Sequence, residues 1–291
     1  MVSCNMNLPI FLLPFDHRGS FAHDFLSTTY PITDPLLLES AQALKLIIAE
    51  AMINVAKRKP HLRSNLAILT DPDLGRRAWA MIETARIFRF LPLELSGKKE
   101  LELITGQEIE RLVREFRPTG LKLLVNYQPL SSAQGQHDLE LILAGLQQAR
   151  ANNLPLILEL LLPEKEHSVM ALKSAVYELL CDGVHPDIWK VEGLETVAEW
   201  KELKEITQAP TIMLGRGVEF EKIKPLVKIA AESGAVDGIA IGRSIFGQPL
   251  KGYTTGMITA KLAEQLISEN FLEIISIWEK GRELAGNESS A

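Results

Sequence analysis

Eight short, almost unbroken apolar runs constrain what this chain can fold into more than any other feature. They are IFLLPF (10–15), NLAILT (65–70), RFLPLEL (89–95), LKLLVNY (121–127), LPLILELLL (154–162), DIWKVE (187–192), TIMLG (211–215) and DGIAIG (237–242). Runs with so little polar alternation suit strands buried on both faces, as in a parallel sheet covered by helices. Helix-like stretches lie between them. Asp34 and Pro35 supply a cap residue and a first-turn proline ahead of 36–58. Thr105 with Glu108 three positions on reads as a capping box opening 106–116. Further helical stretches cover 138–151, 168–182, 196–206 and 220–233, with Gly183 and Gly234 placed to end two of them.

Strand followed by helix, eight times over, predicts a single (β/α)8 TIM barrel spanning residues 1–291. The rival is a doubly wound open sheet, but no Gly-x-Gly-x-x-Gly follows the first run. The polar stretch 17–34 is the longest strand-to-helix connection and is expected to fold over the barrel mouth. A last helix at about 257–282 would close the outer ring.

Composition narrows the class of partner. With 31 Lys+Arg against 37 Asp+Glu, a net charge of −6 and no basic cluster, neither nucleic acid nor an anionic membrane is the expected target. LPIFLLPF (8–15) has no basic residues ahead of it and runs into Asp16, so it reads as a strand, not as a signal or spanning segment. Two cysteines, Cys4 and Cys181, build no disulfide framework, and a reducing cytoplasmic setting is expected. The six histidines (17, 23, 61, 137, 167 and 185) lack metal-ligand spacing, so no metal and no cofactor are expected. No exposed stripe argues for an interface, and a homo-oligomer stays open.

The informative residues are charges in apolar strands: Asp16, Lys122, Glu159 and Lys190. Alternation puts Ile188, Lys190 and Glu192 on one face of their strand, and Trp189 and Val191 on the other. The bulky pair suits the layer beneath the helices, so Lys190 should point into the barrel. The same parity groups Ile157 with Glu159. Buried charges must be neutralised, paired or used. A structural network, Lys122 with Glu159 or Lys190 with Glu192, would satisfy them. Four such groups from four strands of one barrel favour an active site, because strand C-termini converge there.

Two lysines facing one cavity have a specific use. A neighbouring cation and a desolvated setting both lower a lysine's pKa, and the free amine can attack a ketone to form a Schiff base. Glu159 would move the protons that imine formation requires. Gly215-Arg216-Gly217 and Gly242-Arg243-Ser244 end the seventh and eighth runs, where this fold usually binds phosphate. Arg18 is a candidate anion contact. His17 and Tyr127 are further candidates, Tyr127 as a proton donor.

Several stretches resemble a known prokaryotic set: LPFDHRGSF (13–21), LKLLVNYQP (121–129), ILELLLP (157–163), PDIWKVEGLE (186–195), IMLGRGVE (212–219) and IAIGRSIFGQPL (239–250). They resemble the DUF2090 aldolase-like domain found fused behind a sugar kinase in myo-inositol breakdown and, more distantly, the class I tagatose-1,6-bisphosphate aldolases. The resemblance implies Lys190 as the Schiff-base lysine, Lys122 as the second lysine, Glu159 as the acid/base carboxylate and Asp16 as the acid ending the first strand. It also puts phosphate at Gly215, Arg216, Gly242 and Arg243. This sequence departs from the family where Glu94-Leu95-Ser96-Gly97 replaces Glu-Lys-Ser-Gly, where Asn126 replaces an arginine, and at Asp71-Pro72-Asp73.

The expected activity is therefore a class I aldolase, a carbon–carbon lyase cleaving a phosphorylated keto-sugar or keto-sugar acid to dihydroxyacetone phosphate and an aldehyde. By resemblance, 6-phospho-5-dehydro-2-deoxygluconate is the first substrate to try. The alternatives are a sugar-phosphate isomerase or epimerase without a covalent intermediate, and a non-catalytic sugar-phosphate-binding protein.

Overall fold

The computed structural model describes residues 6–98, 100–163 and 168–288. Cys4 and His167 lie outside the described residues. Eight parallel strands close a barrel in sequence order: β1 (Ile10–Pro14), β2 (Leu66–Leu69), β3 (Phe88–Pro92), β4 (Gly120–Asn126), β5 (Leu156–Leu161), β6 (Ile188–Glu192), β7 (Thr211–Leu214) and β8 (Gly238–Ala240), with β8 pairing back onto β1. Each strand falls inside one of the eight apolar runs or begins one residue ahead of it. The protein is a (β/α)8 TIM barrel.

Around it run α1 (Gly19–Leu26), α2 (Pro35–Arg58), α3 (Arg76–Thr84), α4 (Gly106–Phe116), α5 (Ala133–Ala151), α6 (Val169–Cys181), α7 (Val197–Lys204), α8 (Phe220–Glu232), α9 (Arg243–Thr254) and α10 (Ala260–Glu288). The Asp34 carboxylate accepts the Leu36 backbone N–H at 2.8 Å, capping α2 as expected. α10 packs between α2 and α8 through Ile267, Phe271, Ile274 and Trp278, and the Trp278 indole meets the Phe11 ring edge-on at 6.4 Å. No helix among the described residues is long and apolar enough to cross a membrane.

The Thr105 capping box does not form. The Thr105 side chain makes no cap hydrogen bond, and the Glu108 carboxylate is engaged by Arg111 at 2.7 and 3.0 Å. The i,i+3 ion pair thus takes the group that the box would use. A complete box stands instead at Thr196 and Glu199, opening α7. The 17–34 connection contains α1, whose Phe21 and Phe25 rings pack on Phe246 of α9.

The barrel interior is layered. Ile10, Leu12, Ala67, Leu69, Phe90, Ile157, Ile188, Ile212 and Ala240 make an apolar floor. Trp189, Val191, Leu158 and Leu160 face outward into the helix layer. The next inward positions along several strands, toward their C-terminal ends, carry charge.

Candidate active site

That charged layer is built by parity. Glu159 and Lys190 are register partners on adjacent strands. Lys122 pairs with Ile157, one inward step below Glu159, and its long stem reaches up to the carboxylate. Asp16 and Glu94 continue the inward parity of β1 and β3 just past the last strand residues.

Glu159 Oε2 accepts from Lys190 Nζ at 2.7 Å and forms an ion pair with Lys122 Nζ at 3.2 Å. Lys122 also donates to Asp16 Oδ2 at 3.0 Å and Glu94 Oε1 at 2.5 Å. The second Glu94 oxygen accepts the Leu124 backbone N–H at 3.2 Å. The two lysines therefore differ. Among the described residues Lys122 holds three carboxylates and Lys190 holds one. Lys190, with Glu159 and His17, lines a cavity of about 200 Å³ at the C-terminal mouth.

Burial penalises the charged form of the Lys122 ammonium, yet Asp16, Glu94 and Glu159 outweigh it and hold its pKa well above the ordinary value. Lys122 is a fixed cation. Burial would likewise raise the Glu159 carboxyl, but Lys190 and Lys122 prevail and keep it below the usual carboxylate range. Asp16 is also held well below the ordinary carboxylate value, because Lys122 leads the groups that outweigh desolvation. Burial raises Glu94 and Asp16 adds to that, with Lys122 opposing. Strand order alone sets the two lysines directly against each other. The structure interposes a carboxylate oxygen, which offsets their repulsion.

The opposite wall is cationic. Arg216 and Arg243 line the cavity together with Gly215, Gly217 and Gly242. Arg216 pairs with Glu192 of β6 at 2.5 Å and reaches the Leu162 carbonyl at 3.4 Å. Its backbone is left-handed, φ 46°, and Gly217 follows at φ 77°. A β-carbon at Gly217 would also stand 2.9 Å from the Arg243 guanidinium. At Gly242 a β-carbon would fall 2.1 Å from the Pro14 carbonyl oxygen, so glycine lets α9 start against the end of β1. The Ser244 hydroxyl is occupied, donating to the Val218 carbonyl at 2.5 Å, and ties the start of α9 to the turn after β7.

His17 lines the cavity, and burial, aided by Arg243 and Lys190, pushes its pKa down to about 4, so the ring is neutral at physiological pH. Arg18 is not among the cavity-lining residues. Its guanidinium is held by Asp73 at 3.5 Å and the Glu94 carbonyl at 2.9 Å. Tyr127 points out of the barrel and its hydroxyl donates to Glu178 of α6 at 2.6 Å, which removes it as a proton donor to the cavity. Parity explains this, because Tyr127 follows the inward Asn126. Asn126 lines an adjoining hollow beside Glu94 and Leu124.

Glu94 and Lys45 are participants that the sequence does not single out, and Glu192 takes a different partner from the one expected. Glu94 stands in an apolar run, a charge of the kind singled out in other strands. Glu192 shares the inward face of Lys190 but pairs with Arg216 instead. Lys45 looks like a surface lysine of an amphipathic helix, yet it is fully buried. Its Nζ binds Asp71 and the carbonyls of Phe15 (2.7 Å) and His17 (3.1 Å), clamping the backbone on either side of Asp16.

Fold and site together define a TIM barrel with a buried lysine–carboxylate layer opening on a small cavity at its C-terminal mouth. The chain belongs to DUF2090, a family described as "Uncharacterized protein conserved in bacteria", which matches residues 5–282. A comparison with curated proteins found no match. Among solved structures, the barrel is similar to Cgl0159 from Corynebacterium glutamicum, with 16% identity, TM-score 0.59, and coverage of 90% of this chain and 85% of that one. It is also similar to a Schiff-base-forming fructose-1,6-bisphosphate aldolase, with 15% identity, TM-score 0.54, and coverage of 89% and 92%. At these identities the likeness is one of fold.

Proposed function

We propose that the protein is a class I aldolase that cleaves a phosphorylated ketose or keto-sugar acid through an imine on Lys190. One observation carries the reading. A lysine that lines the cavity shares a single carboxylate oxygen with a second lysine that is permanently charged. Lys122, tied to three carboxylates, is unsuited to attack a ketone. Lys190, with one partner and access to the cavity, is suited to it.

Glu159 takes a proton from the Lys190 ammonium, and the free amine adds to the substrate ketone. Glu159 then protonates the departing hydroxyl as water is lost and the iminium forms. Glu159, a carboxylate again once water has left, accepts the hydroxyl proton as the carbon–carbon bond breaks toward the iminium, while Asp16, ionised and held by Lys122, keeps that lysine charged beside it. Water then hydrolyses the protonated enamine and frees Lys190. Because the protonated imine is itself the electron sink, this chemistry calls for no cofactor. Arg216, Arg243 and the α9 N-terminus would hold the phosphate, and neutral His17 would hydrogen-bond the substrate beside it. A phosphorylated ketose is a metabolite of the cytoplasm, which agrees with the charge and cysteine content.

The test is enamine formation. In D2O the protein should exchange one C3 hydrogen of dihydroxyacetone phosphate, seen by NMR, at a rate abolished by Lys190→Ala. Exchange that persists in Lys190→Ala would favour an isomerase-like base without an imine.

A further inference from the structure

The two sides of the mouth differ in charge. Next to the cavity lies a second hollow of about 380 Å³, joined to it at Leu124, which lines both. Glu94, Asn126, Gln128, Gln134 and Asp138 line it, with Glu100 at its rim. Lys98 is the one cation among its described lining residues, and its Nζ is paired with Glu102 at 3.0 Å. Gln134 Nε2 donates to the buried Asp138 at 2.9 Å. The amides of Asn126 and Gln128 make no hydrogen bond with other described residues. Arg18, which reaches this side through the Glu94 carbonyl, is held by that carbonyl and by Asp73.

Resting on the imine reading above, we infer that this hollow receives the distal end of the substrate and that this end is uncharged and hydroxylated. The substrate class is then a ketose monophosphate, neither a bisphosphate nor a sugar acid. A bound ketose with its phosphate at Arg216 and Arg243 and its C2 on Lys190 extends past Leu124 toward Asn126. Hydroxyl groups there donate to Asp138 and Glu94 and accept from the free amides. A second phosphate or a carboxylate meets the Glu94 and Asp138 carboxylates instead and is repelled by them.

The balance of the reaction is the ordinary one. The Lys190 amine condenses with the C2 ketone, releasing water. The C4 hydroxyl loses its proton as the C3–C4 bond breaks and its electron pair moves to the iminium. A neutral aldehyde leaves from the second hollow, the enamine is protonated at C3, and water releases dihydroxyacetone phosphate.

The inference is tested in the synthetic direction, which keeps the donor constant. Wild-type protein and dihydroxyacetone phosphate are mixed in turn with equal, sub-saturating glyceraldehyde, glyceraldehyde 3-phosphate or 3-oxopropanoate, and new carbon–carbon bonds are measured by NMR. Glyceraldehyde is expected to react about tenfold faster or more than either anion. Asn126→Arg should shift that ratio toward the anionic acceptors, with circular dichroism reporting that the variant is folded. Equal or faster use of either anion by wild type, where dihydroxyacetone phosphate exchanges deuterium at C3, overturns this inference and leaves the imine reading standing. No exchange and no product with any acceptor overturns both.

Discussion

Two buried lysine–carboxylate pairs sit within one barrel, and they teach opposite lessons about buried charge. Lys45 and Asp71 are both fully buried, and the Lys45 ammonium is surrounded by the Asp71 carboxylate and two backbone carbonyls. Asp71 in turn accepts the N–H groups of Asp73 (3.0 Å) and Leu74 (2.7 Å). That pair is sealed and fixes the chain where β1 ends. Lys190 and Glu159 are nearly as buried, but both line a cavity edged by two arginines. Burial alone would rank the sealed pair first. What separates structure from chemistry is whether the charged atoms face protein on every side or face a space that a ligand can enter.

The comparison can be broken most sharply at Lys190. Lys190→Arg keeps a cation beside Glu159 but has no amine for imine formation. Cleavage should fall by about a thousandfold or more in a coupled assay, with the melting temperature little changed. Lys45→Met should do the reverse. It leaves Asp71 buried and unpaired, and urea denaturation should show a loss of about 3–5 kcal/mol. If the Lys45 variant were as stable as wild type, the sealed pair would not be structural.

His17 sharpens the comparison through pH. Its folded pKa of about 4 lies below the unfolded value of 6.5, so the unfolded chain binds the extra proton between these values. Stability should therefore fall as pH drops from 6.5 toward 4, by on the order of 3 kcal/mol for this group. Replacing His17 by Asn should flatten that part of the pH–stability curve. An unchanged curve would mean that the ring is solvated.

Arg243→Ala should raise KM for a phosphorylated ketose about tenfold while leaving kcat less affected, as expected for a contact made throughout the reaction. The smallest effect separates two helix starts. Thr196→Ala should cost about 1 kcal/mol, because that hydroxyl caps α7. Thr105→Ala should cost a few tenths at most, since Thr105 makes no cap bond.

Strand alternation made most of the site legible. The parity that carries Ile157 and Ile188 into the floor also carries Glu159 and Lys190 into the layer above, and the order of apolar runs shows which strands meet. What the sequence hid is what one strand says about another. Nothing local to Glu192 says that Arg216, on the turn after the next strand, will take it. Lys45 stands in LKLIIAEA, where a lysine at that spacing reads as solvated, and only closure of β1 over α2 buries it. Tyr127 was legible in principle, because alternation turns it outward once Lys122 is turned in. The short helices α1, α3 and α9 escaped for a different reason. α1 and α3 span only 8 and 9 residues, too short for a helical period to stand out, and α9 contains Gly247 and Pro249.

Lys190 alone among the buried lysines is the proposed imine lysine. Wild-type protein should be reduced with borohydride in the presence of dihydroxyacetone phosphate and mapped by intact and peptide mass spectrometry. One stable adduct is expected, on the peptide bearing Lys190, with Lys122 and Lys45 unmodified. An adduct on Lys122 instead, or none while a known class I aldolase is labelled in parallel, would contradict it.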